Sequence, residues 1–304
     1  MTRSEHFAAK LQLEFQRQSA STHFGEIALF RVLQGTFGSL RPMFHVEEYH
    51  GNKHQIHFAT SQPWLKPRAR CELCDLLLIT YSSTGDPQVR LMLLQAKLSR
   101  VKHSGLCSPS GMKPNSTRFQ ADYVQWDLLS SRPRLEPTNS FKPPPELLRS
   151  ALVPSIGAFG VFHRADSGLI DMFYASADTL QPVGSPTGKA GRLCTNVSPP
   201  LRHFSGFADI PQCCCLFTFG KALFDLQLGT PVVGTTAKGD RMRDDILARF
   251  AATVLTAHLH QEGANSVLIP EVLRLLEHSP EHAKMGGSAP NVVILQGDAP
   301  QSMG

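Results

Sequence analysis

Hydrophobic positions in the first third of the chain gather into two dense runs that bracket a turn. Cys71 to Tyr81 reads as one strand, apolar on both faces from Leu76 onward. Ser82-Ser83-Thr84-Gly85-Asp86-Pro87 is a turn cluster, and Val89 to Leu94 returns as a second strand. A hairpin sets the start of its first strand beside the end of its second. Asp75, at the head of the first run, is then a spatial neighbour of Gln95-Ala96-Lys97, which ends the second. The alternation of side chains along a strand puts Gln95 and Lys97 on one face. Strands this apolar need cover on both faces, which predicts a central sheet flanked by helices.

Other elements follow from the same patterning. Thr22 is a candidate N-cap for a helix-compatible run from Phe24 to Leu33, ahead of Gly35 and Gly38. Glu26 shares a helical face with Leu29, Phe30 and Leu33, where a carboxylate is costly unless it is paired or metal-bound. The alternative is a boundary position that reaches solvent or a nearby base such as Arg31. Phe119, Tyr123 and Trp126 recur at helical spacing as core residues, with Gln120 and Gln125 on other faces. Prolines 133, 137, 143, 144 and 145 mark the best internal boundary. Beyond it, Ile156–His163 and Leu169–Tyr174 read as paired strands, 182–200 as a loop and Cys213–Phe219 as a buried strand. Asp244–His260 and Pro270–Glu277 read as helices. The expected organisation is a core at 1–132, a Pro-rich linker or loop at 133–150, and an α+β region at 151–304. The roles open to that last region are sheet extension, sequence recognition, dimerisation and partner binding.

Polar groups at the end of a buried strand must be satisfied by each other, by water or by an ion. The Asp75 carboxylate, the Gln95 amide oxygen and the Ala96 carbonyl offer three oxygen ligands of the kind a hard divalent cation takes. Lys97 beside them can orient a water and screen charge on a phosphate. The plainer reading is an ordinary hairpin whose terminal polar groups face solvent.

Glu26 on an opening helix, Asp75 on a core strand and Gln95-Ala96-Lys97 ending the next strand together resemble the PD-(D/E)XK nuclease superfamily. More narrowly, they resemble its restriction-endonuclease-like, Mrr-like and Holliday-junction-resolvase-like members. Gln95 stands where Asp or Glu is commoner, as in the Q-x-K variants, and Cys74 stands where a Pro would precede Asp75. The resemblance covers roughly residues 20–130. It implies a mixed α/β sheet of four or five strands flanked by helices, and hydrolysis of DNA phosphodiesters with Mg²⁺ or Mn²⁺. It implies Asp75 as principal metal ligand with Gln95 and Ala96, Glu26 as accessory ligand or water-orienting residue, and Lys97 as the catalytic lysine. A polar residue on the helix after Q-x-K, Gln120 or Gln125, would complete the site. Double-stranded DNA is the expected substrate, in bacterial restriction or anti-phage defence with a defence-system partner. The rival reading is a non-catalytic nucleic-acid-binding or assembly module that keeps the fold.

Charge supports a polyanionic ligand. Residues 90–149 carry ten Lys/Arg against four acids, a local excess larger than the +5 of the whole chain. Duplex cleavage by a site that cuts one strand requires two protomers or sequential nicking, so a homodimer is expected, with Asp244–His260 as the candidate interface and core packing as the alternative for that helix.

Other chemistries lack their signatures. The seven cysteines include one close pair, Cys71-x2-Cys74, inside a strand run, and Cys213-Cys214-Cys215 reads as packing thiols, so structural zinc is not expected. An odd cysteine number and the absence of an apolar signal core point to a reducing, cytoplasmic setting. His54 and His57 fall on opposite faces of a strand. No Walker loop, G-x-G-x-x-G or serine elbow is present, and Gly157-Ala158-Phe159-Gly160 reads as close backbone packing. No apolar run is long enough to span a membrane.

Overall fold

The computed structural model describes residues 1–40, 44–47, 54–103, 117–138, 141–195, 201–259, 268–277 and 291–298. The first part of the chain forms α1 (Arg3–Ser19), α2 (Glu26–Ser39), β1 (Phe44–Glu47), β2 (Gln55–Ala59), β3 (Arg68–Glu72), β4 (Leu76–Ser82) and β5 (Gln88–Leu98). Then come β6 (Arg118–Asp122), α3 (Tyr123–Ser131), β7 (Leu135–Glu136), β8 (Gly157–Arg164), β9 (Ile170–Ser176), β10 (Leu180–Pro182) and β11 (Ala190–Thr195). The remainder is β12 (Arg202–Phe204), β13 (Phe207–Asp209), β14 (Gln212–Cys213), α4 (Leu216–Phe224), β15 (Thr230–Thr235), β16 (Arg241–Arg243), α5 (Asp245–Leu259), α6 (Leu268–Leu275) and β17 (Val292–Gln296).

The β4–β5 hairpin is the middle of a mixed sheet, with Leu76 opposite Leu94 and Ser82 opposite Gln88. Nine described strands join it, in the order β1-β17-β4-β5-β8-β9-β14 with β15 and β16 off that path, rather than four or five. β17 runs parallel to β4, and β8 runs parallel to the last part of β5 through Leu93–Leu98. The Pro-rich segment therefore does not divide the sheet: strands on both sides of it are hydrogen-bonded neighbours. Three smaller sheets, β3-β2-β7, β10-β11-β6 and β12-β13, lie apart from it.

Both faces of the sheet are covered, as the unbroken apolarity of β4 and β5 requires. On one face Leu76, Leu78, Met92 and Leu94 pack with Phe15 of α1, Leu33 of α2 and Phe219 of α4. On the other, Leu77, Ile79, Leu91 and Leu93 pack with Leu128 of α3, Phe250 of α5 and Val272 of α6. The apolar stripe of α5 is thus used inside the protomer, the alternative to a dimer interface for that helix.

Four local expectations change. The segment expected as a loop at 182–200 contains β11, which pairs with β10 and β6. Cys71–Tyr81 is two strands, not one: β3 alternates exposed Arg68 and Arg70 with buried Ala69 and Cys71 and pairs with β2, and the chain bends through Leu73–Asp75 before β4 begins. Cys213–Phe219 is mostly helix. Its apolar run has no period of its own to separate strand from buried helix, and Cys215 with Thr218 forms a capping box at the start of α4. Phe119 and Gln120 lie on β6, and the helix begins only at Tyr123, where Asp122 accepts a hydrogen bond from the Val124 N–H. α1 opens on a Thr2/Glu5 capping box.

Gly157 does pack closely. A Cβ there would stand 2.7 Å from Leu129 Cβ and 3.0 Å from the Leu129 carbonyl oxygen. Gly157→Ala should therefore cost about 1–3 kcal/mol through overpacking, read as a lowered urea midpoint with an unchanged m-value.

Candidate functional site

The hairpin register carries Asp75 to the end of β5. The Asp75 N–H donates to the Leu94 carbonyl at 3.0 Å, and the Asp75 Oδ2 accepts from the Ala96 N–H at 2.7 Å. The carboxylate thus replaces a ladder partner just where β4 begins. The N–H and C=O of a strand residue point to the same side, so the Ala96 carbonyl also faces the Asp75 side of β5.

Gln95 and Lys97 are recessed. Gln95 is fully buried, and neither its amide oxygen nor its amide nitrogen finds a hydrogen-bond partner. An orphaned buried amide costs about 1–3 kcal/mol. The Lys97 side chain is 11% exposed, and its Nζ lies 3.4 Å from Glu26 Oε1, whose side chain is 44% exposed. Glu26 does not sit within the buried stripe of its helix. It is the first residue of α2, where a carboxylate is favoured by the helix dipole, and its partner is Lys97, not Arg31. The actual N-cap is Gly25, while the Thr22 hydroxyl donates to the Gln18 carbonyl at the end of α1. α2 continues through Gly35 and Gly38 to Ser39.

Burial pushes the Asp75 carboxyl up to about 6; Lys97 and the Ala96 N–H oppose that rise, while Glu72 and Glu26 add to it. Glu72, at the end of β3, was not visible as a site residue because it belongs to a different sheet. Burial also pushes His54 down, against a hydrogen bond to Cys74 and the charge of Asp75, which places this histidine beside the site. Below about pH 6, native Asp75 holds a proton that the unfolded chain releases down to its ordinary carboxylate range. Its contribution to stability should thus fall as pH rises through that window and level off above it. Urea titrations across the window should show a flatter pH dependence for Asp75→Asn than for the parent.

The donor set suits a hard divalent ion in kind: a carboxylate, an orphaned amide oxygen and a carbonyl, with Glu26 near. Among the described residues no three His, Cys, Asp or Glu side chains are grouped to hold a metal. Cys71 and Cys74 are buried free thiols, pushed up by burial. Cys213 and Cys215 are also free, whereas Cys214 is disulfide-bonded and so is not a packing thiol.

The basic stretch is not one patch. Arg90 is buried far from the site, Arg134 and Arg149 pair with Glu146, and Arg132 donates to the Ala151 carbonyl. Lys113 and part of the loop expected at Ser99–Asn115 lie outside the described residues. Arg100 and Arg118 instead line a cavity of about 900 Å³ that also takes in Glu26, Gln120 and Arg192. Gln120 is therefore near the site from a strand, while Gln125 is not among the cavity residues.

Comparison with family models, with curated proteins and with solved structures gave no match. Among the described residues no helix is long and apolar enough to cross a membrane.

Proposed function

We propose that this chain is a metal-dependent nuclease with a restriction-endonuclease-like core, hydrolysing DNA phosphodiester bonds at the Asp75–Lys97 rim of the sheet. The observation that carries the reading is the buried, partnerless Gln95 amide beside an Asp75 whose carboxyl is hard to ionise. Both features are relieved by a cation. Asp75, Gln95, Ala96 and Glu26 would hold Mg²⁺ or Mn²⁺, which when bound supplies a Lewis acid for a phosphoryl oxygen and a water of lowered pKa. Lys97, released from Glu26 or shared with it, presents a recessed ammonium that orients the attacking water and offsets charge developing on the phosphate. Asp75 must lose its proton to take the metal, so metal affinity, and with it cleavage at limiting Mg²⁺, should weaken as pH falls through about 6.

The test is incubation of supercoiled plasmid with EDTA, Mg²⁺ or Mn²⁺, with nicked and linear products resolved on a gel. Nicking in either metal and none in EDTA is expected. The second reading, a non-catalytic nucleic-acid-binding module, is favoured by one observation: Lys97 already has an ion-pair partner in Glu26. It requires DNA binding that is insensitive to metal and intact plasmid in every lane.

A role in bacterial restriction or anti-phage defence, alone or with a partner protein, is part of this proposal. A homodimer would have to use a surface other than the apolar stripe of α5, which packs in the protomer's own core. Light scattering near 33.4 kDa together with nicking alone would make the protein a monomeric nickase.

A further inference from the structure

The cavity beside the candidate site has walls from three parts of the chain. His23, Phe24, Gly25 and Glu26 come from the turn into α2, Ser99 and Arg100 follow β5, and Arg118, Gln120 and Arg192 come from the small β6/β11 sheet. β6 and β11 are antiparallel with Gln120 opposite Arg192, so these two side chains emerge on one side of the sheet. Arg118, two residues before Gln120, emerges on that side as well. Arg118, Gln120 and Arg192 are all solvent-exposed.

Three features suit this cavity to a phosphate. No carboxylate pairs with Arg100, Arg118 or Arg192 among the described residues, so three arginines line it without an ion-pair partner there. The N-terminus of the 14-residue helix α2 opens onto the same space, and its N-cap, Gly25, has no side chain to occupy the first amides. Among the described residues the one carboxylate in the wall, Glu26, is held by Lys97 at 3.4 Å. Phe24 adds a half-buried ring, backed by the Arg164 guanidinium 4.5 Å from its centre, and Arg164 is not in the cavity wall. An arginine-lined groove with an aromatic surface is what a flexible polynucleotide strand takes, phosphates on the cations and a base on the ring.

Depth selects between strand and duplex. Glu26 lines the cavity and holds the 11% exposed Lys97 behind it, so a phosphate must enter the recess to approach that ammonium. The convex, stiff surface of a double helix offers its backbone only at the rim. An unpaired strand can bend inward and fill a space of about 900 Å³, the size of a ligand pocket and not of a flat interface.

We propose that the cavity bounded by Phe24, Arg100, Arg118, Gln120 and Arg192 binds a single, unpaired polynucleotide strand and feeds it to the Asp75–Lys97 centre; this rests on the nuclease reading above. The substrate is then a single strand, an overhang or an unpaired stretch within a duplex, such as those that underwinding opens in a supercoiled plasmid, and not a relaxed, fully paired helix.

Fluorescence anisotropy in EDTA compares a labelled oligo(dT) strand with the same strand paired to oligo(dA), using the full chain. Binding to the strand should be at least about tenfold tighter. Arg118→Ala with Arg192→Ala should weaken strand binding about tenfold or more, and flatten its salt dependence by about two counterions. Arg118→Lys with Arg192→Lys, which keeps the charge, should recover most of the affinity and the salt slope; circular dichroism checks that both variants fold. Equal or tighter binding of the duplex overturns the inference, as does unchanged strand affinity in the folded alanine variant. The same two substrates are then given Mg²⁺. Strand-selective binding without cleavage defeats the nuclease reading alone, whereas cleavage with no preference for the strand defeats the strand inference alone.

Discussion

Lys97→Ala and Asp75→Asn should each lower Mg²⁺-dependent nicking by about 10²–10⁴-fold, the range that loss of a positioned acid–base or charge-stabilising group commonly produces. The two substitutions act differently. Removing Lys97 takes a nearly buried ammonium away from Glu26, a carboxylate exposed enough to be solvated alone. The fold should survive this with little change in stability. Asp75→Asn keeps an oxygen to accept the Ala96 N–H now bonded at 2.7 Å, so the start of β4 stays tied to β5 while the charge disappears. It also removes the carboxyl that burial lifts to about 6, so the Mg²⁺ concentration needed for whatever cleavage is left should lose its dependence on pH near that value. Initial rates of plasmid nicking at saturating Mg²⁺, with circular dichroism as the folding control, provide the measurement. If either folded variant nicks at the parental rate, that residue is not part of the machinery.

The hairpin behind this prediction was legible in the sequence because each of its signals is local: two apolar runs, a Gly/Asp/Pro turn between them, and polar residues at the ends that the pairing brings together. The Glu26–Lys97 pair was half legible. Patterning places Glu26 early in a helix, but with the start at Thr22 and Phe24 the carboxylate falls on the apolar stripe. Moving the helix start by two residues turns a buried acid into one at a helix N-terminus. The break at Leu73–Asp75 was missed although Arg68-Ala-Arg-Cys-Glu72 alternates cleanly and Leu76–Ser82 does not, a change of pattern that marks a change of sheet.

Long-range pairing was beyond reach. Nothing near β5 announces that β8 lies parallel to its end, or that β17 inserts between β1 and β4. Arg192 and Gln120 face the same cavity only because β11 pairs with β6. The basic stretch counted along the chain mixed residues with opposite fates, since Arg118 is exposed and Arg90 is buried. Linear charge names a candidate ligand class, and tertiary pairing decides which cations could meet it.

Asp209→Ala should be among the most destabilising single substitutions in the chain, costing about 3–5 kcal/mol. Asp209 is fully buried, and its Oδ2 takes the Arg202 Nε at 2.8 Å and the Arg202 Nη2 at 2.6 Å. Arg90, on β5 and 2% exposed, donates to the Gly229 carbonyl at 3.1 Å, but a carbonyl brings no charge. Burial pushes Arg90 down to about 10, and Asp209 and Tyr174 oppose that fall. Without Asp209, Arg90 stays buried with its counter-charge gone. Arg202 keeps a second partner, Asp178, at 2.6 Å, and its side chain is 21% exposed, so Arg202→Ala should cost less than Asp209→Ala. The decisive comparison is a double-mutant cycle in urea. Adding Arg90→Met to Asp209→Ala removes the stranded cation and supplies apolar volume, so the double variant should regain part of the lost stability. If the two losses simply add, Arg90 and Asp209 are not coupled, and the cost of removing Asp209 belongs to Arg202 alone.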